Sequence, residues 1–178
     1  MRIRTKTIAR LRDALLESGR RPTLVTSSAY ETLARQGLLS PEELTALARV
    51  EPVAELMFLM MAADGNVHEL ERDALRGAIR GLAGDTLRSG IIQVMLESFE
   101  ERLRNQGRLQ RLHELAEELS EERADAESAF TLAAAIALAD DHVADAENEF
   151  LNQVAEWLGL STERANQVLD QLEQDAAE

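Results

Sequence analysis

Ala63-Asp64-Gly65-Asn66-Val67-His68-Glu69-Leu70-Glu71 decides the architecture of this chain, because it occurs twice. The second copy, 76 positions on, reads Ala139-Asp140-Asp141-His142-Val143-Ala144-Asp145-Ala146-Glu147. Without a gap, Asp64 falls on Asp140, Val67 on Val143 and Glu71 on Glu147. The register extends outward to Leu56 and Leu132, to Leu75 and Leu151, and to Leu82 and Leu158. Two copies of one supersecondary unit commonly pack about a pseudo-twofold axis, which can bring two acidic loops to one place.

Each copy divides into three parts. A nearly all-apolar segment comes first, residues 53–63 and 129–139, and reads as a buried helix. The acidic loop follows. An amphipathic helix comes next, its inner face at Leu70, Ala74, Leu75, Ala78, Ile79 and Leu82 in one copy. The other copy places Ala146, Phe150, Leu151, Val154, Ala155 and Leu158 at the same six positions. A third helix is expected to start at an Asp85 cap in the first copy and a Ser161 cap in the second. The repeats span about 53–98 and 129–174, with a connecting helix at 108–119 that reads as exposed. The two apolar helices are expected to meet at the centre of the bundle.

Ahead of the repeats, residues 5–18 read as an amphipathic helix with Ile8, Leu11 and Leu15 on one face, closed by Arg20-Arg21-Pro22. A second helix is expected from Ser28 to Gln36, stopped by Gly37. Ser40-Pro41-Glu42-Glu43 reads as a helix start, with a Ser cap, Pro in the first turn and Glu three positions on. Pro52 disfavours helical geometry at Glu51, so that helix is expected to end near Val50. The chain thus divides into a basic helical extension, 1–50, and a repeat domain, 51–178.

Composition agrees with an all-α reading. Ala, Leu, Glu and Arg dominate, Gly and Pro are few, and no segment alternates Val, Ile, Thr and aromatics as a strand would. Aromatic residues are 3% of the chain, so aliphatic side chains fill the core, with Phe150 and Trp157 at helical spacing among them. The longest apolar runs are about half the ~20 residues a membrane span needs. The start of the chain reads as no secretory signal, and the absence of cysteine excludes disulfides, thiol catalysis and Cys-ligated zinc. A cytoplasmic home fits these features.

The net charge of −14 is unevenly spread. Residues 1–50 carry +4, and residues 51–178 carry −18. An acidic body repels phosphate backbones, so nucleic-acid binding by the main domain is disfavoured. The basic start (Arg2, Arg4, Lys6, Arg10, Arg12, Arg20, Arg21) suits docking onto that acidic body better than peripheral contact with an anionic membrane. Acidic runs at 97–101 and 114–127 read as solvated helix faces.

The loop resembles half of a calcium-binding EF-hand. With Asp64 at loop position 5, Gly65 takes position 6 and Glu71 position 12. Met60 and Ala62 would then hold the first two ligand positions, and neither can coordinate a hard cation, so the EF-hand reading fails. What survives is an Asp at a helix exit and a Glu in the next helix's first turn. One such half-site offers two carboxylates, and two half-sites offer four. The plainer alternative is structural: a first-turn Glu complements the helix dipole, and Asp64-Gly65 is an ordinary helix-ending turn. His68 and His142 stand at non-equivalent positions and read as solvent-facing loop residues. Without a Glu-x-x-His pair, a Gly-rich phosphate loop or a recognisable Ser-His-Asp set, catalysis has little support.

The pattern A-D-G-x-V-x-x-x-E, after an apolar helix and before an amphipathic one, resembles the tellurite-resistance TerB family and its TerB-like relatives. The resemblance covers about 53–173, and departs from the family at Asp141, where Gly is favoured. It implies an all-helical fold and a divalent-metal site. Asp64 and Asp140 would supply loop oxygens, Glu71 and Glu147 helix-start oxygens, and Asp141 a further carboxylate. Direct capture of an anion such as tellurite is disfavoured by the charge. The reading is an all-α helical bundle with tandem pseudo-twofold-related three-helix repeats, and a non-enzymatic cytoplasmic module. It would bind calcium first and magnesium second, and act in stress response through other proteins. The alternative is an interaction module with no bound metal.

Overall fold

A computed structural model describes residues 5–17, 28–62, 69–121, 123–137 and 145–177. Among them are nine helices and no strand. In chain order they are α1 (Thr5–Glu17), α2 (Ser28–Arg35), α3 (Pro41–Met61), α4 (Glu69–Leu82), α5 (Ser89–Gln106), α6 (Arg108–Ser120), α7 (Arg123–Ala137), α8 (Asp145–Trp157) and α9 (Thr162–Ala177).

The helix starts follow local sequence chemistry. Ser40 and Glu43 form a reciprocal capping box: the Glu43 N–H donates to Ser40 Oγ at 3.1 Å, and the Ser40 N–H donates to Glu43 Oε2 at 3.0 Å. Pro41 carries no N–H, so two of the three unpaired N–H groups at the start of α3 are thereby satisfied. The end of α2 is a left-handed closure at Gly37, φ +67°, where the Leu38 N–H returns to the Leu33 carbonyl at 2.9 Å.

Among the described residues, α3 and α7 share the most extensive helix–helix contact, and α3 is buried on every face from Val50 through Met61. The two apolar helices therefore lie where their composition requires. α4, α5 and α6 pack on α3, while α6, α8 and α9 pack on α7. α1 lies across α4 and α7, with Leu11 buried. Among the described residues, no helix is long and apolar enough to cross a membrane.

Three expectations need correction. α3 does not stop near Val50 but runs through Pro52 to Met61. An interior proline removes one backbone hydrogen bond and costs roughly 3 kcal/mol. The buried run that follows it, including Leu56, Met57, Phe58 and Leu59, contributes about 1.5–3 kcal/mol per large side chain, so burial outweighs the local penalty. The second correction concerns the third helix of the first copy, which does not begin at an Asp85 cap. Gly84 and Asp85 both have positive φ, +61° and +60°, and the Asp85 N–H returns to the Arg80 carbonyl to close α4. A cap residue needs extended backbone, and Arg88, with φ −69° and ψ 151°, fills that place before α5. The Ser161 cap does form, its Oγ accepting from the Arg164 N–H at 3.2 Å. Third, α6 is not an exposed connection. Leu112, Leu115, Ala116 and Leu119 are buried against α3, α7 and α8, a 3–4 spacing that makes one apolar face.

Candidate functional site

The helices framing the two acidic loops keep one register. α3 ends at Met61 and α7 at Ala137, while α4 begins at Glu69 and α8 at Asp145, so both pairs are offset by 76 residues. Glu71 and Glu147 are each the third residue of their helix, a first-turn position at which an acidic residue complements the helix dipole. Asp64, Asp140 and Asp141 lie outside the described residues, as do the side chains of Glu71 and Glu147 and both loop histidines, His68 and His142. Among the described residues, no group of three or more His, Cys, Asp or Glu side chains could hold a metal ion. The donor chemistry of the five candidates, all carboxylates, suits a hard cation such as calcium or magnesium.

The described part of the molecule holds a polar constellation that periodicity did not reveal. Glu51 and Glu55 sit inside the most buried helix, with side chains only 3% and 1% exposed. Arg102, from α5, bridges them: Nη2 reaches Glu51 Oε1 at 2.6 Å, and Nη1 reaches Glu55 Oε2 at 2.5 Å. Arg111, from α6, donates to both oxygens of Glu55, Nε to Oε1 at 2.7 Å and Nη2 to Oε2 at 2.9 Å. Its Nη1 reaches outward to Glu114 Oε2 at 2.8 Å. Phe99 flanks the Arg102 guanidinium at 5.8 Å.

Electrostatics set different states within this chain of charges. Burial pushes the Glu51 carboxyl above the usual carboxylate range, against the opposing pull of Arg102. The hydrogen bond from Arg111 holds Glu114 below that range. Burial alone would lower Arg102, but Glu55 and Glu51 hold its guanidinium above its ordinary value. Tyr30, from α2, stands over this network with its hydroxyl 3.4 Å from Ser98 Oγ. Its phenol is pushed up by burial first and by Glu51 second.

A carboxylate–guanidinium chain of this kind has no open coordination position and no nucleophile paired with a base. It joins α3, α5 and α6 at fixed rotation, and geometry of this quality is what a buried ion pair requires. The sequence does carry a signal: two acids four positions apart in an otherwise apolar helix require basic partners. Nearer the surface, Glu43 receives Arg88 Nε at 2.6 Å, and Arg88 also binds the Leu38 carbonyl. The Arg88 bond, with the Ser40 N–H, holds Glu43 down to about 2. The acidic runs are in part paired rather than simply solvated, since Arg72 pairs with Glu100 and Arg164 with Glu127. Phe150 is buried beneath Arg108, whereas Trp157 is half-buried and meets the ring of His113 edge-on at 5.7 Å.

The fold and the framed loops define an all-α module with two acidic helix-to-helix connections. The chain belongs to the family described as Tellurite resistance protein TerB, whose match covers residues 50–170. No curated protein and no solved structure matches it.

Proposed function

We propose that this chain is a non-enzymatic, cytoplasmic TerB-family module that binds a divalent cation through Asp64, Glu71, Asp140, Asp141 and Glu147. The cation is calcium first and magnesium second, and the module acts in stress response through protein partners. The observation that carries the reading is the shared register of the two loop frames, with a carboxylate at the third residue of both following helices. Family membership supports it. Two half-sites related by a pseudo-twofold would pool enough oxygens for a hard cation, where one half-site alone falls short. A bound ion would offset repulsion among these carboxylates and stiffen the junction of α3–α4 with α7–α8.

Isothermal titration of metal-free protein with calcium, magnesium and zinc tests this reading. Saturable binding of calcium, lost in the double substitution Asp64→Asn and Asp140→Asn, is expected. Heat changes equal to dilution for all three metals would leave the alternative, an interaction module whose first-turn acids serve only the helix dipoles.

A further inference from the structure

We propose that α1 is a detachable strap, a helix that docks across α4 and α7 as a unit and so sets the relative position of the two acidic-loop frames. The proposal concerns the frames alone and stands whether or not a cation binds between them.

The connectivity gives α1 this place. α4 leaves the first acidic loop and α7 enters the second. α1 packs on both, whereas among the described residues α4 and α7 share no extensive contact of their own. α3 touches both in the core, and α1 supplies the second tie between them. α1 lies outside the family match at 50–170, so this tie is made by the chain's own extension.

The fit of α1 in its seat is close at two points and loose around them. Ile8 meets Gly81, where an added Cβ would fall 2.8 Å from Ile8 Cγ2, and Leu11 is buried. Along one flank a groove of about 400 Å³ separates Arg10 and Ala14 from Val168 and Gln171 of α9. Under the other, a hollow of about 40 Å³ lies between Leu16 of α1 and Ala46, Val50 and Leu82. Leu16 itself is 53% exposed. Side chains that border such gaps forfeit dispersion contacts on that side. α1 also has little helical stability of its own, being 13 residues long with no acid in its first turn and no base in its last. A short helix held by few buried contacts opens at lower free energy than the core. α3, by contrast, is buried from Val50 through Met61 and gripped by Arg102 and Arg111.

Spin-label distances in the full chain test the strap. The sequence holds no cysteine, so Asp73→Cys and Glu149→Cys carry the labels cleanly. Both positions are exposed, and each is the fifth residue of the helix that follows an acidic loop. The labelled chain should give one narrow distance distribution. Ile8→Asp together with Leu11→Asp undocks α1 by placing charge in its seat, and should broaden that distribution at least about twofold while α3 and α5 stay protected from amide exchange. In the unsubstituted chain at low urea, α1 amides should exchange at least about tenfold faster than those of α3, through an opening that leaves α3 closed. An unchanged distribution in the substituted chain, loss of its folded body, or exchange of α1 only through global unfolding would each overturn the proposal.

Discussion

Arg111 reaches back 56 residues to grip both oxygens of Glu55, at 2.7 and 2.9 Å, in the interior of an otherwise apolar helix. Glu55 is the hub of the network, since Arg102 binds it too, whereas Glu51 is bound by Arg102 alone among the described residues. The two carboxylates, one helical turn apart, should therefore respond differently to substitution.

Glu55→Gln leaves two buried guanidinium groups without their shared anion and should cost about 3–5 kcal/mol. Glu51→Gln should cost less than about 1 kcal/mol, because burial already disfavours its charge and Arg102 keeps Glu55. Denaturant unfolding of both variants at neutral pH checks the contrast. Equal losses would show that the hub is not Glu55.

Glu43 governs the acid limb of stability. Its folded value is lowered from 4.5 to about 2, first by the Arg88 hydrogen bond and then by the Ser40 N–H. A depressed carboxylate contributes stability that is present above about 4.5 and is lost as pH falls through about 2. Glu51 acts in the opposite sense, because a raised carboxylate costs stability as pH rises through its folded value. Between pH 4.5 and 2, Glu43→Gln should flatten the fall in unfolding midpoint relative to the wild type. Parallel curves would contradict the assignment.

Two glycines on α4 should separate helix propensity from close packing. A Cβ at Gly77 would meet nothing within 4 Å, so Gly77→Ala should stabilise by about 0.5–1 kcal/mol. At Gly81 the same atom would fall 2.8 Å from Ile8 Cγ2, on a β-branched side chain with little freedom to turn. Gly81→Ala should forfeit that gain and weaken protection of α1 in amide hydrogen exchange. Stabilisation at both positions, with α1 protection unchanged, would mean that α1 does not pack closely at Gly81.

Much of this fold was legible because local chemistry and tertiary packing agree. The Ser40–Glu43 box, the Gly37 stop and the apolar runs of α3 and α7 each name their own structure. Reading failed where burial overrode a local rule, as at Pro52, and where the turn at Gly84 and Asp85 departed from its counterpart before Ser161. Glu51 and Glu55 were missed as partners because Arg102 and Arg111 lie far away in sequence, and only the packed helices bring them together. The acidic loops remain legible as chemistry, a pair of carboxylate sets in matched frames.

The measurement that bears most directly on the cation reading is thermal unfolding of the wild type with and without millimolar calcium. An ion bound only by the folded state raises the melting temperature, by an amount equivalent to about 2.7 kcal/mol at a hundredfold excess over its dissociation constant. The account predicts a clear upward shift in the wild type and none in the double substitution Asp64→Asn and Asp140→Asn. The metal-free variant should be at least as stable as the wild type, because carboxylate repulsion has been relieved. A wild-type melting temperature indifferent to calcium, magnesium and zinc alike would contradict the account.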